Sequence, residues 1–199
     1  MEKTLQELSQ EIVELSQRAF RQGLFSGTSG NLSCRVAVGM LITPTSARYE
    51  TMGWEDIVLM GLNGTVHGRG GKPSSEWRMH AAIYEAYPQV SAIFHTHSPY
   101  ATAFAVNRES IPAVLIESHI FLGGEVRCAG YATPGSREVG LNAVPALKDR
   151  GGCTLANHGV VAVGKDLEEA YLRAEYIEDT AKVYALAKAV GTPVPLPKL

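Results

Sequence analysis

Val90-Ser91-Ala92-Ile93-Phe94-His95-Thr96-His97-Ser98-Pro99 is the stretch on which the fold and the chemistry both turn. The segment Val90–Thr96 is short and apolar, which predicts a buried strand. Residues two apart in a strand point to the same face, so His95 and His97 aim both imidazoles at one point. Two readings compete there. The pair is either two partly buried histidines with hydrogen-bond partners, or half of a metal site. Neutral imidazole is a good zinc ligand, and three protein ligands plus an open position describe a catalytic zinc centre. His158, next to Gly159 in a strand-turn, offers a third nitrogen, and Glu76 opens the helix before the strand. These two additions strengthen the metal reading.

Outward from the histidines, the pattern predicts a helix over Glu76–Ala86, ended by Tyr87-Pro88. Ser98-Pro99 starts a short helix through Ala105, with proline at its favoured first position. Upstream, Thr4 and Glu7 have capping-box spacing before the apolar series Leu5, Leu8, Ile12, Leu15 and Ala19, and Gly23 stops that helix. A glycine- and hydroxyl-rich turn, Ser26–Asn31, leads into short strands around Leu32–Val36 and Met40–Thr43. Asp56–Leu62 reads as a strand, with Asn63-Gly64 as a hairpin turn into Thr65–His67. Downstream, strands are expected at Ala113–Glu117, Val126–Ala129, Cys153–Ala156 and Val160–Val163. Helices are expected from Ser136 to Lys148 and from Asp166 to Val190, and Pro193, Pro195 and Pro197 make the tail extended. Short strands clustered between helices predict an α/β chain, a three-layer α/β/α sandwich around a central, mainly antiparallel sheet.

At 199 residues the chain is expected to form one domain, 1–199. A net charge of -2 argues against a nucleic-acid-binding face, and no apolar run reaches membrane-spanning length. Met1–Leu5 lacks the pattern of a signal peptide. Three scattered cysteines, Cys34, Cys128 and Cys153, fit a reducing cytoplasm and read as small buried residues. His67, His80 and His119 read as surface or structural.

Five blocks give the chain a resemblance to the class II aldolase/adducin family, and most closely to its L-fuculose-1-phosphate aldolase branch. They are Gly27–Ser33, Leu41–Thr45, Lys72–Trp77, His95-Thr96-His97 and Asn157-His158-Gly159, in the family's order. The resemblance implies that His95, His97 and His158 hold Zn2+, with Glu76 as base and additional metal neighbour. It implies that Gly30, Asn31, Thr45, Ser46, Ser74 and Ser75 bind a substrate phosphate. Ser74 and Ser75 suit that role independently, because a helix start offers free N–H groups and a favourable dipole. The implied activity is cleavage of a 1-phosphorylated ketose to dihydroxyacetone phosphate and a short aldehyde, through a metal-stabilised enediolate. A homotetramer is implied as well. Histidine sites accept other divalent ions too.

Two departures bear on the substrate. Ile116 stands where the fuculose-phosphate branch carries a proton-donating tyrosine, with Glu117 expected on the opposite face of a strand. The sequence also stops at Leu199, short of a tail that supplies a second tyrosine in that branch. A less polar aldehyde end is therefore expected, as in 5-deoxyribulose or 5-methylthioribulose 1-phosphate. Ribulose-5-phosphate 4-epimerase, methylthioribulose-1-phosphate dehydratase and an adducin-like scaffold are the competing readings. The epimerase would favour aspartate at the position of Glu76, and the scaffold would have lost the histidines.

Overall fold

A computed structural model describes residues 3–68 and 71–197; the outermost residues of the expected domain range lie outside these. The helices are α1 (Leu5–Arg21), α2 (Trp77–Ala86), α3 (Pro99–Asn107), α4 (Ile116–Leu122), α5 (Arg137–Leu147) and α6 (Leu167–Val190). The strands are β1 (Asn31–Val36), β2 (Gly39–Ile42), β3 (Val58–Met60), β4 (Val66–His67), β5 (Ala92–Thr96), β6 (Arg127–Ala129), β7 (Gly152–Leu155) and β8 (Gly159–Gly164). They form one sheet in the order β4-β3-β2-β1-β5-β8-β7-β6. Among the described residues only the β6–β7 pair is parallel. The histidine strand is central, flanked by β1 and β8.

Alternation along β5 divides the molecule into two cores. Ala92 and Phe94 face a layer built by α1, α3 and α6, against Ile12, Phe104 and Tyr171. Ile93 faces the opposite layer, where α2 and α5 contribute Met79, Ile83, Tyr84, Val139 and Ala143. The period of two then carries His95 and His97 to the α2 side. The helix ends follow local chemistry. Thr4 and Glu7 form the expected capping box, and Asp166 accepts from the Glu169 N–H at the start of α6. Among the described residues no helix is long and apolar enough to cross a membrane.

Three expectations are corrected. Ala113–Glu117 is not a strand: Ile116 begins α4, and in this region only Ile111 bridges to Val126. The β-branched run suggested extended backbone, but no strand lies beside Ala113. Its carbonyl instead accepts from the Leu196 N–H of the proline-rich tail. Ile116 and Glu117 are thus neighbours on a helix, about 100° apart, and not on opposite faces of a strand. Asp56–Leu62 is shortened to Val58–Met60, because Trp54–Asp56 close a 3-10 turn in which Asp56 accepts from the Gly53 N–H. Cys34 and Cys153 are buried, whereas Cys128 is only half-buried.

Candidate metal centre

Four side chains from three parts of the chain converge beside the end of β5. Glu76 occupies the residue before α2, His95 and His97 come from β5 and its extension, and His158 from the β7–β8 turn. One donor atom from each lies within 4.8 Å of all the others. His95 Nε2 is 2.9 Å from Glu76 Oε2 and 3.0 Å from His97 Nε2; His158 Nε2 is 3.1 Å from Glu76 Oε1. Ligand atoms arranged tetrahedrally around a zinc ion at its usual bond lengths would stand about 3.3 Å apart. The set is therefore already near the spacing an ion requires.

The surroundings fix which atoms face the centre. His95 is fully buried, and its Nδ1–H donates to the Val160 carbonyl at 2.8 Å, which turns Nε2 inward. Glu76 Oε1 is buried without an aligned hydrogen-bond donor. Burial pushes the His97 imidazole down to about 4, aided by the nearby charge of His95 and His158, so its ring is neutral at physiological pH. Burial works to raise the Glu76 carboxyl, but His95 and His158 outweigh it and hold the group well below the usual carboxylate range. Imidazoles that give up their protons to an incoming ion, around an ionised carboxylate, are the donor set of a divalent-cation site. The residues present fit such an ion.

Two devices hold the centre in shape. Glu178 on α6 reaches the start of α3, accepting from the Tyr100 N–H at 3.0 Å and the Ala101 N–H at 2.8 Å. It thereby fixes the turn that follows His97. Gly159 allows β8 to approach the histidine strand. A Cβ there would run into the Thr96 carbonyl oxygen and stand 3.0 Å from His97 Cδ2 and 3.3 Å from His95 Cε1. Gly159→Ala is expected to cost about 1–3 kcal/mol through overpacking. It should also weaken metal binding by about 10-fold or more, as displaced supporting groups do. Thermal melts and a metal titration check both effects.

The residues expected to bind phosphate lie on neighbouring backbone. Thr43 joins the β1 segment through the Thr43 N–H to the Leu32 carbonyl, and Leu32 N–H returns to Thr43 Oγ1. The same stretch runs beside the serines, with the Ser74 N–H on the Thr43 carbonyl and the Thr45 N–H on the Lys72 carbonyl. Gly30, Asn31, Thr45, Ser46, Ser74 and Ser75 are thus tied into one group of segments leading to Glu76. Ser46 is exposed at φ 54, a left-handed conformation unusual for serine. Ser74 Oγ accepts from the Glu76 N–H at 3.3 Å. Gly30 sits at φ 89, its carbonyl accepting from Tyr49 Oη at 2.6 Å, and a Cβ would strike the Phe25 ring. The Asn31 side chain is turned inward, onto Glu76 Oε2 at 3.0 Å.

His80 was expected at the surface or in a structural role, and the structural role is the one observed: it is fully buried beneath the site. Its Nε2 lies 2.5 Å from Asn31 Oδ1 and its Nδ1 2.7 Å from Ser33 Oγ, which in turn meets Tyr84 Oη at 2.8 Å. Sequence spacing carried a usable signal for this group. Glu76, His80 and Tyr84 are four apart on one helix face, and Asn31 and Ser33 share one strand face. Burial pushes the His80 imidazole down to about 3, with the charge of His95 adding to the effect. An unfolded histidine takes up its proton near pH ~6.5 while the buried one does not, so stability falls as pH drops below that value. This group alone is expected to contribute a slope approaching about 1.4 kcal/mol per pH unit between pH ~6 and pH ~4. Urea unfolding of the metal-stripped protein at several pH values, wild type against His80→Phe, should show a slope steeper by up to that amount in the wild type, on top of the slope that the low-shifted His97 and Glu76 give both proteins.

Comparison with known proteins places this geometry. The signature described as Class II Aldolase and Adducin N-terminal domain matches residues 10–185. L-fuculose phosphate aldolase of Escherichia coli strain K12 is 39% identical over 189 residues, spanning 95% of this chain and 87% of that protein. A 5-methylthioribulose-1-phosphate/5-deoxyribulose-1-phosphate aldolase of Rhodospirillum rubrum is 36% identical over 186 residues, spanning 94% of this chain and 84% of that one. A solved L-fuculose 1-phosphate aldolase structure superposes with a TM-score of 0.92 at 38% identity, covering 99% of this chain and 92% of the other.

Proposed function

The chain belongs to the class II aldolase and adducin family, and from that premise we propose that it is a metal-dependent aldehyde-lyase cleaving a 1-phosphorylated ketose to dihydroxyacetone phosphate and a short aldehyde. The observation that carries the proposal is the meeting of Glu76, His95, His97 and His158 at one point, next to the backbone of Gly30–Asn31 and Ser74–Ser75. Residues 1–199 are read as one domain of this family, because both cores pack on one continuous sheet.

His95, His97 and His158 are assigned as ligands of a divalent ion, zinc by preference, with Glu76 beside it; His-rich sites also admit other ions. The ion supplies Lewis-acid polarisation of the substrate's ketone and hydroxyl oxygens. This chain's residues do the rest. As the C3–C4 bond breaks, the C4 hydroxyl gives its proton to solvent; Glu76, once it has taken up a proton, delivers it to C3, and it removes that proton in the reverse direction. The serines before α2 and the Gly30–Asn31 turn hold the phosphate dianion with hydroxyl and backbone N–H donors. These donors orient C3 toward the Glu76 carboxylate.

The aldehyde end decides the substrate. Ile116 cannot donate a proton, and it starts α4 half-exposed beside Ile120 on the same face. That exposed apolar face supports a partner subunit, in a homotetramer, and the lack of a proton donor at Ile116 supports a substrate whose far end is a deoxy or methylthio group. The expected preference is for 5-deoxyribulose or 5-methylthioribulose 1-phosphate over L-fuculose 1-phosphate, by about 10-fold or more in kcat/KM. Initial rates with the three substrates test this, and a preference for L-fuculose 1-phosphate would reverse the assignment. Product analysis in the same assay separates cleavage from epimerisation and from loss of water.

A further inference from the structure

We infer that His80, with Ser33 and Tyr84 behind it, is a positioning residue that fixes the direction of the Asn31 carboxamide and through it the placement of the Glu76 carboxylate. The inference rests on the reading of Glu76 as the proton-transferring group.

Donor and acceptor capacities leave one consistent assignment. An ionised carboxylate only accepts, so Asn31 must present Nδ2 to Glu76 Oε2 at 3.0 Å. Asn31 Oδ1 then faces His80 Nε2 at 2.5 Å, and only a protonated Nε2 can donate to it. A neutral imidazole with its proton on Nε2 has a lone pair on Nδ1, which accepts from Ser33 Oγ at 2.7 Å. Ser33 has one hydroxyl proton, so its oxygen accepts from Tyr84 Oη at 2.8 Å. Every donor in the chain therefore points toward Glu76: Tyr84 to Ser33, Ser33 to His80, His80 to Asn31, Asn31 to the carboxylate.

Burial makes this polarity binding. Ser33 and His80 are fully buried, Tyr84 and Asn31 nearly so, and each polar atom in the chain has its partner within the chain. Rotating the Asn31 amide by half a turn would set Oδ1 against the carboxylate and Nδ2 against a ring N–H, two repulsive contacts away from water. His80 resists that rotation because turning the amide would force the ring proton to Nδ1 and reverse the Ser33 and Tyr84 hydroxyls with it. The elements explain the placement. Glu76, His80 and Tyr84 follow one face of α2 and its lead-in, while Asn31 and Ser33 follow one face of β1.

The test is a double-mutant cycle on the metal-loaded enzyme. His80→Phe is expected to lower kcat by about 10- to 100-fold with KM changed less than about threefold, as loss of an outer partner of a site residue does. His80→Gln keeps a donor near the Nε2 position and should restore most of the rate. In the Glu76→Gln background, His80→Phe should add less than about twofold, because its effect runs through the carboxylate. A loss that is fully additive in the two backgrounds, or one confined to KM, overturns the inference while leaving Glu76 as the base. A wild-type rate in Glu76→Gln alone overturns the base assignment and this inference with it. A measurement on the unmutated, metal-free protein stands beside the cycle: 15N shifts of the His80 ring should report a proton on Nε2 and none on Nδ1. The opposite tautomer, or a charged ring at neutral pH, overturns the inference even where a variant does not fold.

Discussion

Glu76→Gln is expected to bind its metal ion and turn over about 10²- to 10⁴-fold more slowly than the wild type, the usual loss when a positioned acid/base group is removed. The substitution keeps the volume of the side chain and an amide oxygen. It removes the negative charge that three contacts address, from Asn31 Nδ2 at 3.0 Å, from His95 Nε2 at 2.9 Å and from His158 Nε2 at 3.1 Å. The three histidine nitrogens stay where they are, since His95 is held from behind by the Val160 carbonyl. Metal content by atomic absorption should therefore stay close to one ion per chain while kcat falls. Wild-type turnover in a metal-replete Glu76→Gln protein would remove Glu76 from the chemistry.

His95→Ala is expected to lose metal and activity together. His95 is the most enclosed of the three histidines, and its Nε2 is the atom that meets both Glu76 and His97. Its removal leaves two imidazoles and a carboxylate around a cavity, with the Val160 carbonyl deprived of its ring donor. Buried large-to-small changes cost about 2–5 kcal/mol, so a folding check belongs with the assay. A thermal melt that stays cooperative, together with metal content near zero and no turnover, is the expected combination. Retained metal at wild-type stoichiometry would place the ion elsewhere.

The readability of this chain from sequence followed the range of the signals involved. The His95–His97 pair was legible because a strand's period of two is local, and the surrounding apolar run fixed the strand itself. The capped helices α1 and α6 were legible for the same reason, from Thr4, Glu7 and Asp166. Helix α4 was not: Ala113–Ile116 carries β-branched residues, but a strand needs a neighbouring strand, and only the tertiary arrangement shows that Ala113 pairs with the tail at Leu196. That single difference moved Ile116 from a strand face to a half-exposed helix start. The support beneath the site was hidden differently. Ser33, His80 and Tyr84 come from a strand and a helix about fifty residues apart, and each looks ordinary alone. Their joint meaning appears only when the strand face and the helix face meet. Asn31 was expected toward phosphate, and a contact of its side chain spanning His80 and Glu76 was not foreseen beside that role.

Dihydroxyacetone phosphate release from 5-deoxyribulose 1-phosphate, measured before and after chelation and again after zinc is restored, tests the central claim most directly. Release that stops with the chelator and returns with the ion is the result expected of a site built from His95, His97, His158 and Glu76. Release untouched by exhaustive chelation, in protein verified to be metal-free, would contradict it.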